Sequence, residues 1–133
     1  MKVMLDTNIL ISTALFPGGT TAQAFRKALI PPFEPVVCDY IIDELQRKFR
    51  EKFYDRAPSL ETFIQTALPH IRVIPTPKKQ REEEKRIRDV KDRPILRAAV
   101  SSGVEFFLTG NKDFLEVSIP GLKIVSVQDF LSI

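Results

Sequence analysis

A chain of 133 residues with 44% hydrophobic and 28% charged side chains has an ordinary soluble composition and can bury a core without disulfides. One cysteine, Cys38, and one histidine, His70, exclude an intrachain disulfide and a Cys-based zinc site, so a metal would be held by oxygen, as Mg²⁺ or Mn²⁺ is. The net charge of +3 is mildly basic, no apolar run approaches bilayer-spanning length, and the N-terminus lacks a small-residue cleavage site; one cytoplasmic domain over residues 1–133 is expected.

The predicted elements alternate. Lys2–Asp6 reads as a strand ending on an acid, and a short helix follows from Asn8. Phe16-Pro17-Gly18-Gly19 is a loop. Thr20 or Thr21 caps a helix to about Leu29, stopped by Pro31, Pro32 and Pro35. Val36-Val37-Cys38 is a buried strand, and Asp39 reads as the N-cap of a helix to about Phe53. A further helix runs from Pro58-Ser59 to Leu68-Pro69, and Ile71–Ile74 is a strand. Lys79–Arg88 reads as a polar helix or a loop with helical turns. Asp92 opens a helix to Ser102 with Pro94 in its first turn, and Gly103 is its C-cap. Glu105–Thr109 and Leu122–Ser126 are the last strands, Gly110 is a turn, and Val127–Leu131 is a closing helix. Strands separated by helices predict βαβ units: an α/β fold, three layers α/β/α around a central, mainly parallel sheet.

In such a sheet the carboxyl ends of strands and the N-termini of helices share one rim, where ligands bind. Asp6 and the segment Asn111–Asp113 fall at strand ends. Asp92 falls at a helix start. Glu44 falls early in its helix, at the border of the apolar stripe Ile41, Ile42, Leu45, Phe49 and Phe53, at about 100° per residue. Each has a bland reading: Asp6 and Asp92 as helix caps, Glu44 and Asp113 as solvated side chains, Thr109 as a strand end. Together on one rim they would repel one another. A divalent cation removes that cost and can activate water beside a phosphodiester. Between Lys78 and Arg97 stand nine basic residues against five acidic ones, readable as a phosphate-binding cluster or as a solvated face.

Leu5-Asp6-Thr7-Asn8-Ile9-Leu10, Asp39–Leu45 with Glu44-Leu45, Asp89–Leu96 with Ala98-Ala99, and Phe107–Leu115 resemble, in order, the four acidic motifs of the PIN domain family. The resemblance covers nearly the whole chain. It implies a metal-dependent nuclease acting on RNA, in domains of this size commonly the toxin of a bacterial or archaeal toxin–antitoxin pair. Such toxins are inhibited by a small antitoxin protein and usually form homodimers. Carried onto this sequence, it implies Asp6, Glu44, Asp92 and Asp113 as catalytic residues. The same four with Asn111 would hold Mg²⁺ or Mn²⁺; Asn8 and Thr109 would orient them; Arg93, Arg97 and Lys112 would meet substrate phosphates. Two positions depart from the pattern. Asn111 stands where Asp is frequent, and Arg93 stands where another acid is frequent.

The expected activity is therefore endoribonucleolytic, on single-stranded or looped RNA, with no membrane partner. The alternative is a PIN-like RNA- or protein-binding module with weak or no catalysis, motivated by Asn111 and Arg93. A receiver-type domain would need a phospho-accepting Asp ending a mid-chain strand, whereas Asp55 ends a predicted helix. A haloacid-dehalogenase-type phosphatase would need Asp where Asn8 stands. Cys38 is expected to be a small buried residue, and His70 a loop residue.

Overall fold

A computed structural model describes all 133 residues. Five parallel strands lie in the order β3-β2-β1-β4-β5: β1 Lys2–Leu5, β2 Glu34–Cys38, β3 Arg72–Ile74, β4 Phe106–Leu108 and β5 Lys123–Val125. Val3, Met4 and Leu5 are fully buried in the central strand. Met4 is in register with Val36 on one side and Phe107 on the other, and Leu108 with Val125 beyond. From β1 the chain builds outward through β2 and β3, then crosses back to add β4 and β5. The order therefore reverses between β1 and β4, and that switch point is where ligands bind in open α/β sheets.

Seven helices flank the sheet: α1 Thr7–Leu15, α2 Thr20–Ala28, α3 Asp39–Lys52, α4 Ala57–Thr66, α5 Arg93–Ser102, α6 Lys112–Leu115 and α7 Val127–Leu131. α1 packs on α2, α3 and α4, α2 on α7, and α3 on α5. One cluster of 32 buried residues joins both sides of the sheet. Large aromatic rings fill it: Phe33 meets Phe106 and Phe130, and Phe107 meets Phe114 edge-on at 4.9 Å between centroids. The Phe107–Phe114 contact fastens the short α6 to the end of β4, where propensity alone would not hold four residues helical. Gly103 closes α5 with φ +67°, a conformation that a side chain would strain.

Two local expectations change and a third holds. Asp39 lies inside α3, after Cys38 at the cap position; its carboxylate accepts from the Thr76 amide at 3.0 Å and from the Thr76 hydroxyl, tying the loop after β3 to the helix start. Between Lys79 and Arg88 the segment is, of the two forms expected, the loop with a helical turn, the 3₁₀ stretch Glu82–Arg86. The segment after Gly110 forms α6, with Asn111 as its cap, an Asx signal read in the sequence as turn and ligand only.

Candidate active site

Asp6 follows directly on β1 in extended conformation and caps α1. Its Oδ1 accepts from the Thr7 amide at 2.8 Å, and its Oδ2 accepts the Thr109 hydroxyl at 2.7 Å. It is 3% exposed. Burial pushes its carboxyl up to about 6; the Thr109 and Thr7 hydrogen bonds pull it down, and the charges of Glu44 and Asp92 push it further up. The cap and the site are thus one residue.

Glu44 lies on the buried face of α3 with Ile41, Leu45 and Phe49, only 6% exposed, with the guanidinium of Arg47 at 3.8 Å. A carboxylate on the apolar side of an amphipathic helix is rarely left there unpaired. Asp92 ends a 3₁₀ turn, Val90–Asp92, that runs into α5. Asp89 supplies the cap of that turn by accepting from the Lys91 amide at 3.0 Å, while Asp92 makes no side-chain cap bond to α5. Its carboxylate faces the rim instead and accepts Asn111 Nδ2 at 3.1 Å. Burial raises the Asp92 carboxyl, Asp89 and Glu44 raise it further, and Asn111 and Lys48 oppose the shift.

Asn111 is fixed from three directions. Its backbone amide donates to Thr109 Oγ1, and its Oδ1 accepts from the Asp113 amide as the cap of α6, both at 3.0 Å; its Nδ2 donates to Asp92. The amide nitrogen, and not the oxygen, is therefore presented to the acidic rim.

The arrangement draws together Asp6, Glu44, Asp92, Thr109 and Asn111. It sets other residues aside. Asp113 pairs with Arg88 at 2.8 Å. Asn8 is exposed on α1 and makes no side-chain hydrogen bond, the turn being held by Asp6 itself. Arg97 is spent on Glu84 through two 2.8 Å bonds and on the Pro77 carbonyl at 2.9 Å, leaving no guanidinium edge for a phosphate. Two cations keep donors free of intramolecular partners: Arg93, of which only the Nε is used, on the Ile87 carbonyl at 2.8 Å, and Lys112, exposed at the start of α6. The sequence reading passed over Tyr40, Lys48 and Asp89. Tyr40 stands one helical turn before Glu44, and that i, i+4 spacing was the available signal.

The donor set is all oxygen, and the charges of Glu44 and Asp92 push the Asp6 carboxyl up, which suits a divalent cation that binds oxygen. No three acidic side chains already converge at ligand spacing. Asp6, Glu44 and Asp92 make an open site, in keeping with an ion that retains several waters. Thr7 Oγ1, buried beside Asp6 without a hydrogen-bond partner, marks one further unmet oxygen there.

A parallel, doubly wound sheet with buried acids at its switch point defines an α/β domain whose candidate site lies on the carboxyl rim. The PIN domain family model matches residues 2–113 of this sequence, and the chain belongs to that family. Among solved structures it is similar to a chain of the VapBC2 complex of Rickettsia felis bound to a promoter DNA fragment, with TM-score 0.70 and 18% identity over 95% of this chain and 98% of that one. A chain of the DNA-bound VapBC complex of Salmonella typhimurium gives TM-score 0.69 and 21% identity over 96% and 98%. A chain of a toxin–antitoxin complex from Klebsiella pneumoniae gives 0.61 and 27% over 90% and 94%. No curated protein sequence matches the chain.

Proposed function

We propose that this PIN domain, acting as one unit over residues 1–133, is a metal-dependent endoribonuclease and the toxin of a toxin–antitoxin pair. One observation carries the reading: Asp6, Glu44 and Asp92, from three separate elements, lie near enough to raise the Asp6 carboxyl in concert with burial. A domain gains nothing structural from a buried Asp6 whose carboxyl is pushed up by two further acids beside it; a site that binds a cation and a phosphodiester does. Asp6, Glu44 and Asp92 would hold Mg²⁺ or Mn²⁺, which when bound would ease deprotonation of water and offset charge on the phosphate. Thr109 would keep Asp6 aimed at the rim, as hydrogen bonds behind ligands do. Asn111 would hold Asp92 in place through its amide nitrogen. Arg93, at the start of α5, and Lys112, at the start of α6, would meet substrate phosphates.

The partner would be a small antitoxin. A groove of about 510 Å³ between α1, α2 and α4, with Leu15, Phe25 and Phe63 on its apolar floor and Arg26 and Arg56 on its walls, supports that part of the reading. A homodimer and cytoplasmic residence belong to the same proposal. No helix is long and apolar enough to cross a membrane.

The test is calorimetric Mn²⁺ binding by the wild type, Asp6→Asn and Asp92→Asn, with cleavage of structured RNAs followed on the same samples. Binding and cleavage that both vanish in the variants support the nuclease; cleavage that survives Asp6→Asn ends it. A second reading, an RNA- or protein-binding module, is favoured by the Asn111 amide, whose hydrogen bond stabilises the Asp92 carboxylate without any cation. It would be upheld by wild-type protein that binds no metal and cuts nothing yet retains RNA.

A further inference from the structure

Beside the acidic rim, α3 and the 3₁₀ turn Val90–Asp92 enclose a cleft of about 570 Å³ lined by Tyr40, Arg47, Lys48, Lys52 and Lys91, with the acids Glu44, Glu51, Asp89 and Asp92. Along α3 most of the cations lie away from the rim, while Lys91 stands between Asp89 and Asp92 on the facing turn. Glu44, Asp89 and Asp92 stand at the rim end. Going down α3 from Glu44, Arg47 and Lys48 come about one turn on and Lys52 about two turns on, roughly 12 Å along the axis. Only Glu51 interrupts the cations. Lys48 reaches close enough to Asp92 to offset part of the upward push on that carboxyl. Arg47 is bound only loosely, by Glu44 at 3.8 Å, and Lys48, Lys52 and Lys91 make no side-chain hydrogen bond or ion pair. Tyr40 is the one aromatic lining residue, half-buried, its hydroxyl donating to the Lys91 carbonyl across the cleft.

We infer that this cleft carries a single-stranded RNA segment into the acidic site, with Arg47, Lys48, Lys52 and Lys91 on its phosphates and the Tyr40 ring under one base. This rests on the nuclease reading for the direction of travel. A row of uncommitted cations with an aromatic platform is what sequence-tolerant single-strand binding requires, because every base has a face to stack. A duplex keeps its bases stacked internally and cannot use Tyr40. The lining charges also set a polarity along α3: cations, interrupted by Glu51, prevail toward the Lys52 end, and carboxylates prevail at the rim, where a cation would be needed.

The experiment is fluorescence anisotropy of a labelled oligouridylate with full-length protein in Ca²⁺, repeated across a salt series, with an RNA duplex as competitor. Wild type is compared with Lys48→Ala/Lys52→Ala, Tyr40→Phe and Tyr40→Leu, each checked for an unchanged melting transition. The double variant should bind at least fivefold more weakly, with a log–log salt slope shallower by about 1.4, at roughly 0.7 per phosphate contact on a single strand. Tyr40→Phe, which loses the bond to Lys91 but keeps the ring, should bind like wild type, and Tyr40→Leu about tenfold more weakly. Wild-type affinity and slope in the double variant, no binding by wild type, or duplex bound as tightly as the single strand would overturn the inference. Cleavage in Mn²⁺ on the same samples separates the two readings. Binding that depends on these residues without any cleavage sinks the nuclease and keeps the cleft; cleavage that none of the variants alters sinks the cleft and keeps the nuclease.

Discussion

Thr109 and Asp6, 103 residues apart in sequence, are both buried and joined by a 2.7 Å hydrogen bond from the threonine hydroxyl to Asp6 Oδ2. The same hydroxyl oxygen accepts the Asn111 amide at 3.0 Å, so one side chain links the acid after β1 to the turn after β4. Thr109→Val keeps shape and removes both bonds. It leaves a buried carboxylate oxygen and a backbone donor with lost partners, at a cost of about 1–3 kcal/mol. The Asp6 carboxyl, deprived of the hydrogen bond that lowers it most, should titrate above about 6. The expected outcome is a lower melting temperature and a cleavage–pH profile displaced upward, with Thr109→Ser restoring both. An unchanged profile in Thr109→Val would show that the hydroxyl has no hold on Asp6.

Asp6→Asn should stabilise the metal-free protein while abolishing cleavage. The sign follows from the direction of the shift. The folded carboxyl, at about 6, lies above its ordinary 3.8. Below the ordinary value it is protonated in both states and contributes no penalty. Between about 4 and 6 the unfolded chain ionises first, and stability falls as pH rises. Above about 6 the full penalty remains, about 3 kcal/mol for a shift of about two pH units. In EDTA at neutral pH the variant should therefore melt several degrees higher, and the wild-type minus variant difference should shrink as pH is lowered through that window. A pH-independent difference would mean that Asp6 is not held above its ordinary range.

The architecture was legible because strand and helix periodicity agree with the turn residues at almost every boundary. The acids were legible for another reason. Asp6 and Asp92 fall at element ends that Pro94, Gly103 and the apolar runs mark plainly, and Glu44 lies early in its helix at the border of an apolar stripe. Asn111, Asp113 and Arg97 were harder because their roles depend on partners distant in sequence. Nothing local to Asn111 says that its oxygen caps α6 and its nitrogen meets Asp92. Nothing local to Arg97 announces Glu84. Spacing identifies which side chains share an edge, and only tertiary packing decides which way an amide or a guanidinium points.

Glu84, 3% exposed, and Arg97 form a two-bonded ion pair that pins the segment before Asp92 onto α5. Breaking such a pair from one side leaves a buried charge alone and costs about 3–5 kcal/mol. Arg97→Ala should lower the melting temperature sharply, and Glu84→Gln should cost less because it keeps the shape and acceptor oxygen. The hydrogen bond from Arg97 holds the Glu84 carboxyl below its usual range. Its contribution is thus complete above the unfolded value near 4.5 and is lost as pH falls through the lower folded value. Acid unfolding followed by circular dichroism should begin at higher pH in Glu84→Gln only if some other carboxylate dominates; otherwise the variant's transition should depend less on pH than that of the wild type.

Asn111→Asp makes the opposing test of the metal reading. Asp caps a helix as well as Asn does, so the bond from the Asp113 amide and the geometry of α6 should survive. What disappears is the donor to Asp92, replaced by a carboxylate facing a carboxylate. A hydrogen bond to a charged group contributes about 1.5–3 kcal/mol, and like charges add repulsion. In EDTA the variant should melt well below the wild type. Added Mn²⁺ should then raise its melting temperature by more than it raises that of the wild type, because a ligand that binds only the folded state stabilises it in proportion to its affinity. RNA cleavage should rise in parallel. If Mn²⁺ leaves both melting curves where EDTA left them, the acidic rim is no cation site, and Asn111 holds Asp92 for a purpose other than hydrolysis.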